Sequence, residues 1–312
     1  MQDIGNRTAL RTIIEHQLAT WPEHSRYLEA SFADRPPTVL DISDEIAAVV
    51  LQLAEHSPHG LTGICEDYRF LCQEIILPEE LHVRRNGCYR LASAADAYRE
   101  VYSNQPLMRR YMSGLLMSNV LWDPHARAIE SYVTHYLPSL SDGADHLEIG
   151  PGHGLLLYFA ASLPSLSTIS GWDISPASVA HTQSVLDAMG AAQKVRLQLH
   201  NLLHRNTGMS GSFDSITMSE LLEHLEDPAA ALRAAHDLLR PEGRLWVNIP
   251  VNSPAPDHIY LLQTTDEACR LVEASGFDVI DQKFFPMTGS SLERARRNQL
   301  SISCVITAKR AG

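Results

Sequence analysis

A chain of 312 residues with 45% hydrophobic and 20% charged side chains is long enough for two domains and too apolar for wholesale disorder. Its 37 acidic and 25 basic residues give a formal net charge of −12. Such a surface repels phosphate backbones and anionic lipid, which argues against nucleic acid or a membrane as partner. The five cysteines are scattered with no CxxC pair, the opening MQDIGNRTAL lacks a basic-then-apolar leader, and no apolar run nears the ~20 residues that span a bilayer. These features predict a cytoplasmic chain with free thiols.

Residues 1–138 read as a mainly helical domain. Apolar residues recur at helical spacing through Leu10, Ile13, Ile14 and Leu18, and again through Ile46, Val49, Val50 and Leu53. Asp41, Ser43 and Asp44 offer N-caps for the second run. Leu81-His82-Val83 and Cys88-Tyr89-Arg90-Leu91 flank Arg84-Arg85-Asn86-Gly87, and Asn-Gly is a strong hairpin signal. Two helices and a small hairpin predict a winged-helix-like module, read in so acidic a chain as a lid or dimerisation element. Helical patterns resume from Ala94 to Leu137.

Residues 139–312 change period. Short β-rich runs alternate with helical stretches, the pattern of a parallel sheet with crossover helices. The runs are His146–Ile149, Thr168–Asp173, Val195–His200, Ser212–Ser219, Gly243–Pro250, Phe277–Phe285 and Ser301–Ala308. The predicted class is α/β, a Rossmann-like seven-stranded domain behind a helical N-terminal domain.

The first strand ends in Glu148 and opens a loop with glycines at 150, 152 and 154 before an apolar helix. Glycines let backbone approach a ligand closely, and a helix N-terminus supplies N–H donors. Several nucleotide-binding folds use such a loop, and Gly152 taken singly is also ordinary turn geometry. Asp173 closes the second strand in Gly171-Trp172-Asp173-Ile174-Ser175, where a carboxylate accepts ribose hydroxyls or caps the next helix. Phe213-Asp214-Ser215-Ile216 and Pro241-Glu242-Gly243-Arg244-Leu245 follow at the fourth and fifth strands.

In order and spacing this set resembles the class I S-adenosylmethionine-dependent methyltransferases, over about residues 140–310. The resemblance implies that Glu148, Gly150, Gly152 and Gly154 cradle the methionine part of the cofactor. It also implies that Asp173, with Ile174 beside it, holds the ribose, and that Asn201 and Leu202 flank the adenine. The family usually has Asp where this chain has Asn201. Ser219 and Glu220 are expected to line the same cleft.

Methyl transfer needs an aligned acceptor and, for a hydroxyl or amine, a proton acceptor. His224, after strand four, and His258, after strand five, are the candidate bases, with Glu223 beside the first. If a helix starts near Glu220, then Glu220, Glu223 and His224 share one face, and with His258 they suit a divalent metal ion. The pattern is similar to that of the ubiquinone-biosynthesis O-methyltransferases and the small-RNA 2′-O-methyltransferases, whose cluster holds such a metal. The competing reading leaves Glu223 and His224 to steady the loop or act as a base, without metal.

A helical N-terminal part before a Rossmann-like part resembles small-molecule methyltransferases of bacterial secondary metabolism. That implies O-methylation of a small-molecule acceptor by a homodimer. N- or C-methylation of a small molecule is the alternative. An RNA or protein methyltransferase, or a non-catalytic regulator, fits the charge and the intact loop less well.

Overall fold

The computed structural model describes residues 4–204 and 208–312. The chain divides into two compact units. The first joins Met1–Glu130 to Asn252–Leu261 and Phe285–Ile302, and the second joins Ser131–Val251, Leu262–Phe284 and Ser303–Gly312.

The first unit is helical. Its principal helices are Thr8–Thr20, Pro37–His56, Gly60–Phe70, Leu77–Asn86 and Gln105–Leu121. Leu10, Ile13 and Ile14 of the first and Ile46, Val49 and Val50 of the second are buried, the helical stripes expected of them. The second helix starts earlier than predicted. Pro37 sits in its first turn, where a missing N–H does no harm. Asp41, Ser43 and Asp44 therefore lie inside the helix: Ser43 Oγ donates back to the Val39 carbonyl, and Asp44 Oδ1 accepts from the Leu10 amide.

The predicted hairpin does not form. Leu77–Asn86 is a helix, and Gly87, at φ 72°, is its left-handed C-cap. Its amide donates to the Val83 carbonyl at 2.7 Å. Asn-Gly marks a positive φ, and a helix C-terminus uses that conformation as readily as a hairpin turn does. The winged-helix expectation falls with the hairpin.

In the second unit seven strands form one mixed sheet. They are β1 Asp145–Ile149, β2 Thr168–Asp173, β3 Val195–Leu199, β4 Phe213–Ser219, β5 Leu239–Val251, β6 Phe277–Pro286 and β7 Ile302–Arg310. Their order is β3-β2-β1-β4-β5-β7-β6, with β1, β2, β3, β4 and β5 paired in parallel. Strands covered on both faces read as apolar runs, and Leu147, Ile216, Leu245, Val247 and Ile249 are all fully buried. β5 begins before Pro241-Glu242-Gly243, which sequence placed ahead of it. A register shift against Phe213/Ser215 and a positive φ at Glu242 absorb that interruption.

One polar chain crosses this apolar interior. His146 Nε2 lies 3.0 Å from Tyr132 Oη, its Nδ1 lies 2.8 Å from Ser215 Oγ, and Ser215 Oγ lies 2.7 Å from Tyr136 Oη. Burial drives the His146 pKa down to about 3, so the ring is neutral and serves as a hydrogen-bonding core residue.

Candidate active site

The sheet order reverses between β1 and β4, and in open α/β sheets ligands bind outside the carboxyl ends of the strands at such a switch point. Of the residues singled out from sequence, Glu148, Gly150, Gly152, Gly154, Asp173, Ile174, Asn201, Leu202, Ser219 and Glu220 sit at or just beyond the carboxyl ends of β1, β2, β3 and β4. Neighbouring strands bring them together: Ile149 pairs with Trp172 on one side and Met218 on the other, and Asp173 pairs with Leu199.

Glu148 is buried, and burial raises its carboxyl well above the ordinary carboxylate range. Its Oε2 has no hydrogen-bond partner among the described residues. Gly150, Gly152 and Gly154 have φ of 70°, 53° and 74°, the left-handed region that side chains resist. A Cβ on Gly150 would come within 2.9 Å of Leu221, and one on Gly154 within 3.0 Å of Thr182. The loop is pinned from both flanks. Gly150 donates its amide to the Trp172 carbonyl at 2.8 Å, and Thr182 Oγ1 donates to the Gly152 carbonyl at 2.7 Å.

Asp173 accepts the Ser175 amide on Oδ1 at 2.8 Å and the Ser178 hydroxyl on Oδ2 at 2.6 Å. The carboxylate thus organises the start of the next helix, whose N-cap is Ser175. It is half-buried, and two oxygens offer about four lone-pair sites, so its accepting capacity is not exhausted. Beside it Ile174 is 68% exposed, which is unusual for a large apolar residue. Asn201 Oδ1 accepts the Leu203 amide at 2.9 Å, and Leu202 is buried.

A buried carboxyl with accepting capacity, a backbone cradle that a Cβ would fill, a half-buried carboxylate and an exposed apolar side chain fit a nucleoside joined to an amino acid. More than half the chain, residues 122–298, matches the model of a family described as a methyltransferase domain. The chain belongs to this family. It is a class I S-adenosylmethionine-dependent methyltransferase. Over 113 residues the methyltransferase is 32% identical to a ubiquinone biosynthesis O-methyltransferase of Xanthomonas axonopodis pv. citri, covering 36% of this chain and 46% of that protein. The namesake from Xanthomonas campestris pv. campestris (strain B100) matches to the same extent. The chain spans less than half the length of these curated relatives. Solved structures similar to it include S-adenosylmethionine-dependent methyltransferases of Mesorhizobium loti and Aquifex aeolicus. The first is 17% identical over 59% of this chain and 98% of that one, with a TM-score of 0.45. The second is 14% identical over 71% and 100%, with a TM-score of 0.47.

Past β4 the structure departs from expectation. No helix starts at Glu220, which has a positive φ of 49°. Leu222–His224 is a single 3₁₀ turn, and the next α-helix begins at Pro228. The shared helical face of Glu220, Glu223 and His224 therefore does not exist. Glu220 turns to the neighbouring strand: its amide donates to the Asn248 carbonyl at 3.0 Å, and Asn248 Nδ2 donates to its Oε1 at 2.8 Å. Ser303 Oγ in turn donates to Asn248 Oδ1 at 2.7 Å. Burial pushes the Glu220 carboxyl up to about 8 against the opposing Asn248 bond. Sequence reasoning missed Asn248 and Ser303, since a long-range partner on another strand leaves no local pattern.

Glu223 is fully buried, and its Oε1 lies 3.7 Å from His224 Nε2, whose side chain is 21% exposed. The imidazole and carboxylate thus stand side by side in the turn that follows β4. His258 belongs to the helical unit, where it is buried and its Nδ1 lies 2.7 Å from the Ser253 carbonyl.

Proposed function

We propose that this methyltransferase O-methylates a small hydroxylated or carboxylated metabolite, with His224 as the proton acceptor beside the donor site. The pairing of His224 with buried Glu223, in the turn directly after the strand next to the glycine loop, carries the reading. When bound, S-adenosylmethionine supplies an electrophilic methyl group on a sulfonium. In this reading Gly150, Gly152, Gly154 and Glu148 hold the amino-acid end. Asp173 accepts the ribose hydroxyls, Ile174 and Leu202 flank the adenine with Asn201, and Ser219 lines the cleft. Glu223 Oε1, 3.7 Å from His224 Nε2, stands beside the ring that would take the acceptor's proton. The matched relatives are themselves named O-methyltransferases, which supports an oxygen acceptor over nitrogen or carbon.

The same proposal gives Glu223 and His224 a divalent cation. A neutral imidazole beside a carboxylate suits Mn, Fe, Co, Ni or Zn. A cation there would act as a Lewis acid on the acceptor oxygen. Glu220 Oε1 is bonded instead to Asn248 on the neighbouring strand. The helical unit, in this reading, supplies homodimer contacts in a cytoplasmic enzyme. No described helix is long and apolar enough to cross a membrane.

The test is S-adenosylhomocysteine release from a panel of phenols, catechols and carboxylic acids. His224→Gln is expected to lower turnover by about 10²- to 10⁴-fold, the usual range for a general base, with cofactor affinity unchanged. Full turnover in that variant would end the assignment. Loss of turnover on chelation with cofactor binding intact supports the cation. Chelator-resistant turnover that is still lost in His224→Gln would leave His224 a simple base.

A further inference from the structure

Three tyrosines of the helical unit converge on the segment Asn252–Leu261, which belongs to that unit. Tyr102 Oη donates to Asp257 Oδ2 at 3.0 Å, and Tyr111 Oη donates to Asp257 Oδ1 at 2.9 Å. Tyr89 Oη donates to the Ser253 carbonyl at 2.9 Å, and its ring stands edge-on to His258 with centroids 5.6 Å apart. Asp257 and His258 are both buried.

The Ser253 carbonyl decides the state of the histidine. A carbonyl only accepts, so a Nδ1 at 2.7 Å from it carries the proton, and in a neutral ring Nε2 then holds the lone pair. Between Ser253 and Asp257 the chain is Pro254-Ala255-Pro256, and each proline fixes its φ near −65°. With both ends tied to tyrosines and the middle stiffened, little freedom is left in the direction of His258. Anchoring alone would not need this device. Ile259 already packs on the apolar cluster of Leu91, Ala97 and Val101. A buried carboxylate taking two phenol donors adds direction, which an apolar contact does not.

We propose that Asp257, Tyr102, Tyr111 and Tyr89 are positioning residues that lock His258 as its Nδ1–H tautomer and make Nε2 its working nitrogen. The proposal rests on the reading of His258 as a residue of the reacting end.

The tautomer is read directly by two-bond proton–nitrogen correlation on the full chain labelled with ¹⁵N-histidine, with His258→Gln identifying the resonance. Wild type is expected to show a single Nδ1–H form. Asp257→Asn and, separately, Tyr102→Phe/Tyr111→Phe are expected to give a mixture of tautomers with cofactor affinity retained. Tyr89→Phe, which leaves the Nδ1 bond to Ser253 in place, is expected to shift the mixture less. A wild-type ring in the Nε2–H form overturns the proposal, and so does a folded Asp257→Asn protein with an unchanged tautomer. This readout needs no acceptor. A locked tautomer together with full turnover in His258→Gln would sink the role given to His258 and leave the clamp standing.

Discussion

In the helical unit the buried guanidinium of Arg35 donates to the Ser31 carbonyl and hydroxyl, the Ser43 hydroxyl and the Val120 carbonyl, with Asp123 3.5 Å away. The sheet unit buries Glu148 at the end of β1, and one of its oxygens has no hydrogen-bond partner among the described residues. Burial lowers Arg35 only to about 10, so it stays charged, whereas Glu148 is pushed well above the carboxylate range. The contrast separates two uses of a buried ionisable group. Arg35 is saturated by its own helices and ties three of them together. Glu148 keeps accepting capacity at the edge where the fold receives a ligand, as does the half-buried Asp173.

Gly150→Ala is the largest expected effect and tests the sheet unit's side of this contrast. A left-handed non-glycine costs roughly 1–2 kcal/mol, and the clash with Leu221 about 1–3 kcal/mol more, unless the loop moves. Cofactor affinity measured by calorimetry should fall roughly 10²- to 10³-fold, each 1.4 kcal/mol being tenfold. Unchanged affinity would mean that the loop is no cradle.

Arg35→Ala tests the other side. It strands the Ser31, Ser43 and Val120 groups and should cost about 2–3 kcal/mol in urea unfolding. Trp21 and Trp122 report on the helical unit, Trp172 and Trp246 on the sheet unit. The loss should be seen first by the former pair, with cofactor affinity kept. A fall in affinity as large as that of Gly150→Ala would erase the distinction between scaffold and ligand edge.

Acid sharpens the comparison, because each unit holds a buried histidine that desolvation keeps neutral, His146 in the sheet unit and His24 among those of the helical unit. Burial lowers His146 to about 3 in the sheet unit and His24 to about 4 in the helical unit. Unfolded, both would titrate near ~6.5, so between that pH and the folded values the unfolded chain takes up protons that the folded chain refuses. Stability from these rings is complete above about pH 6.5 and is lost as pH falls, by about 2 kcal/mol for each at pH 5. Glu148, raised by burial, acts in the opposite direction, so variants isolate the histidines. His146→Gln should flatten the acid limb reported by Trp172 and Trp246, and His24→Gln that reported by Trp21 and Trp122. Identical acid limbs in the variants and wild type would refute the burial argument.

Gly87→Ala is the smallest expected effect. Nothing lies within 4 Å of a Cβ placed there, so only the left-handed φ is charged, at about 1 kcal/mol. Circular dichroism melting should show a small shift without change of helix content. A large loss of helix would mean that Gly87 does more than end one.

The central strands were legible because buried parallel strands must be apolar runs between helical periods, and Leu147, Ile216 and Val247 announce β1, β4 and β5. The glycine loop and Asp173 were legible for a similar reason: their chemistry is written into consecutive residues. Asn86-Gly87 misled because one conformational preference serves two structures. Glu220 misled because helical spacing was assumed across a residue of positive φ. Asn248 and Ser303 beneath Glu220, and the tyrosines around Asp257, left no trace in sequence. Each meets its partner across 28 to 164 residues, a distance that only the fold closes.

The interleaving of the two units has a consequence for the order of synthesis. The helical unit begins within the first 130 residues, yet its last segment ends at Ile302. About 170 residues separate those points, which at ~5–20 residues per second is roughly 10–35 s of translation. Throughout that interval the early helices stand on the ribosome with their unit incomplete, and the clamp on Asp257 cannot close until Asn252–Leu261 has emerged. Neither unit can be complete before Ile302 has been made, so until then the nascent chain must keep its apolar helical faces from neighbouring nascent chains.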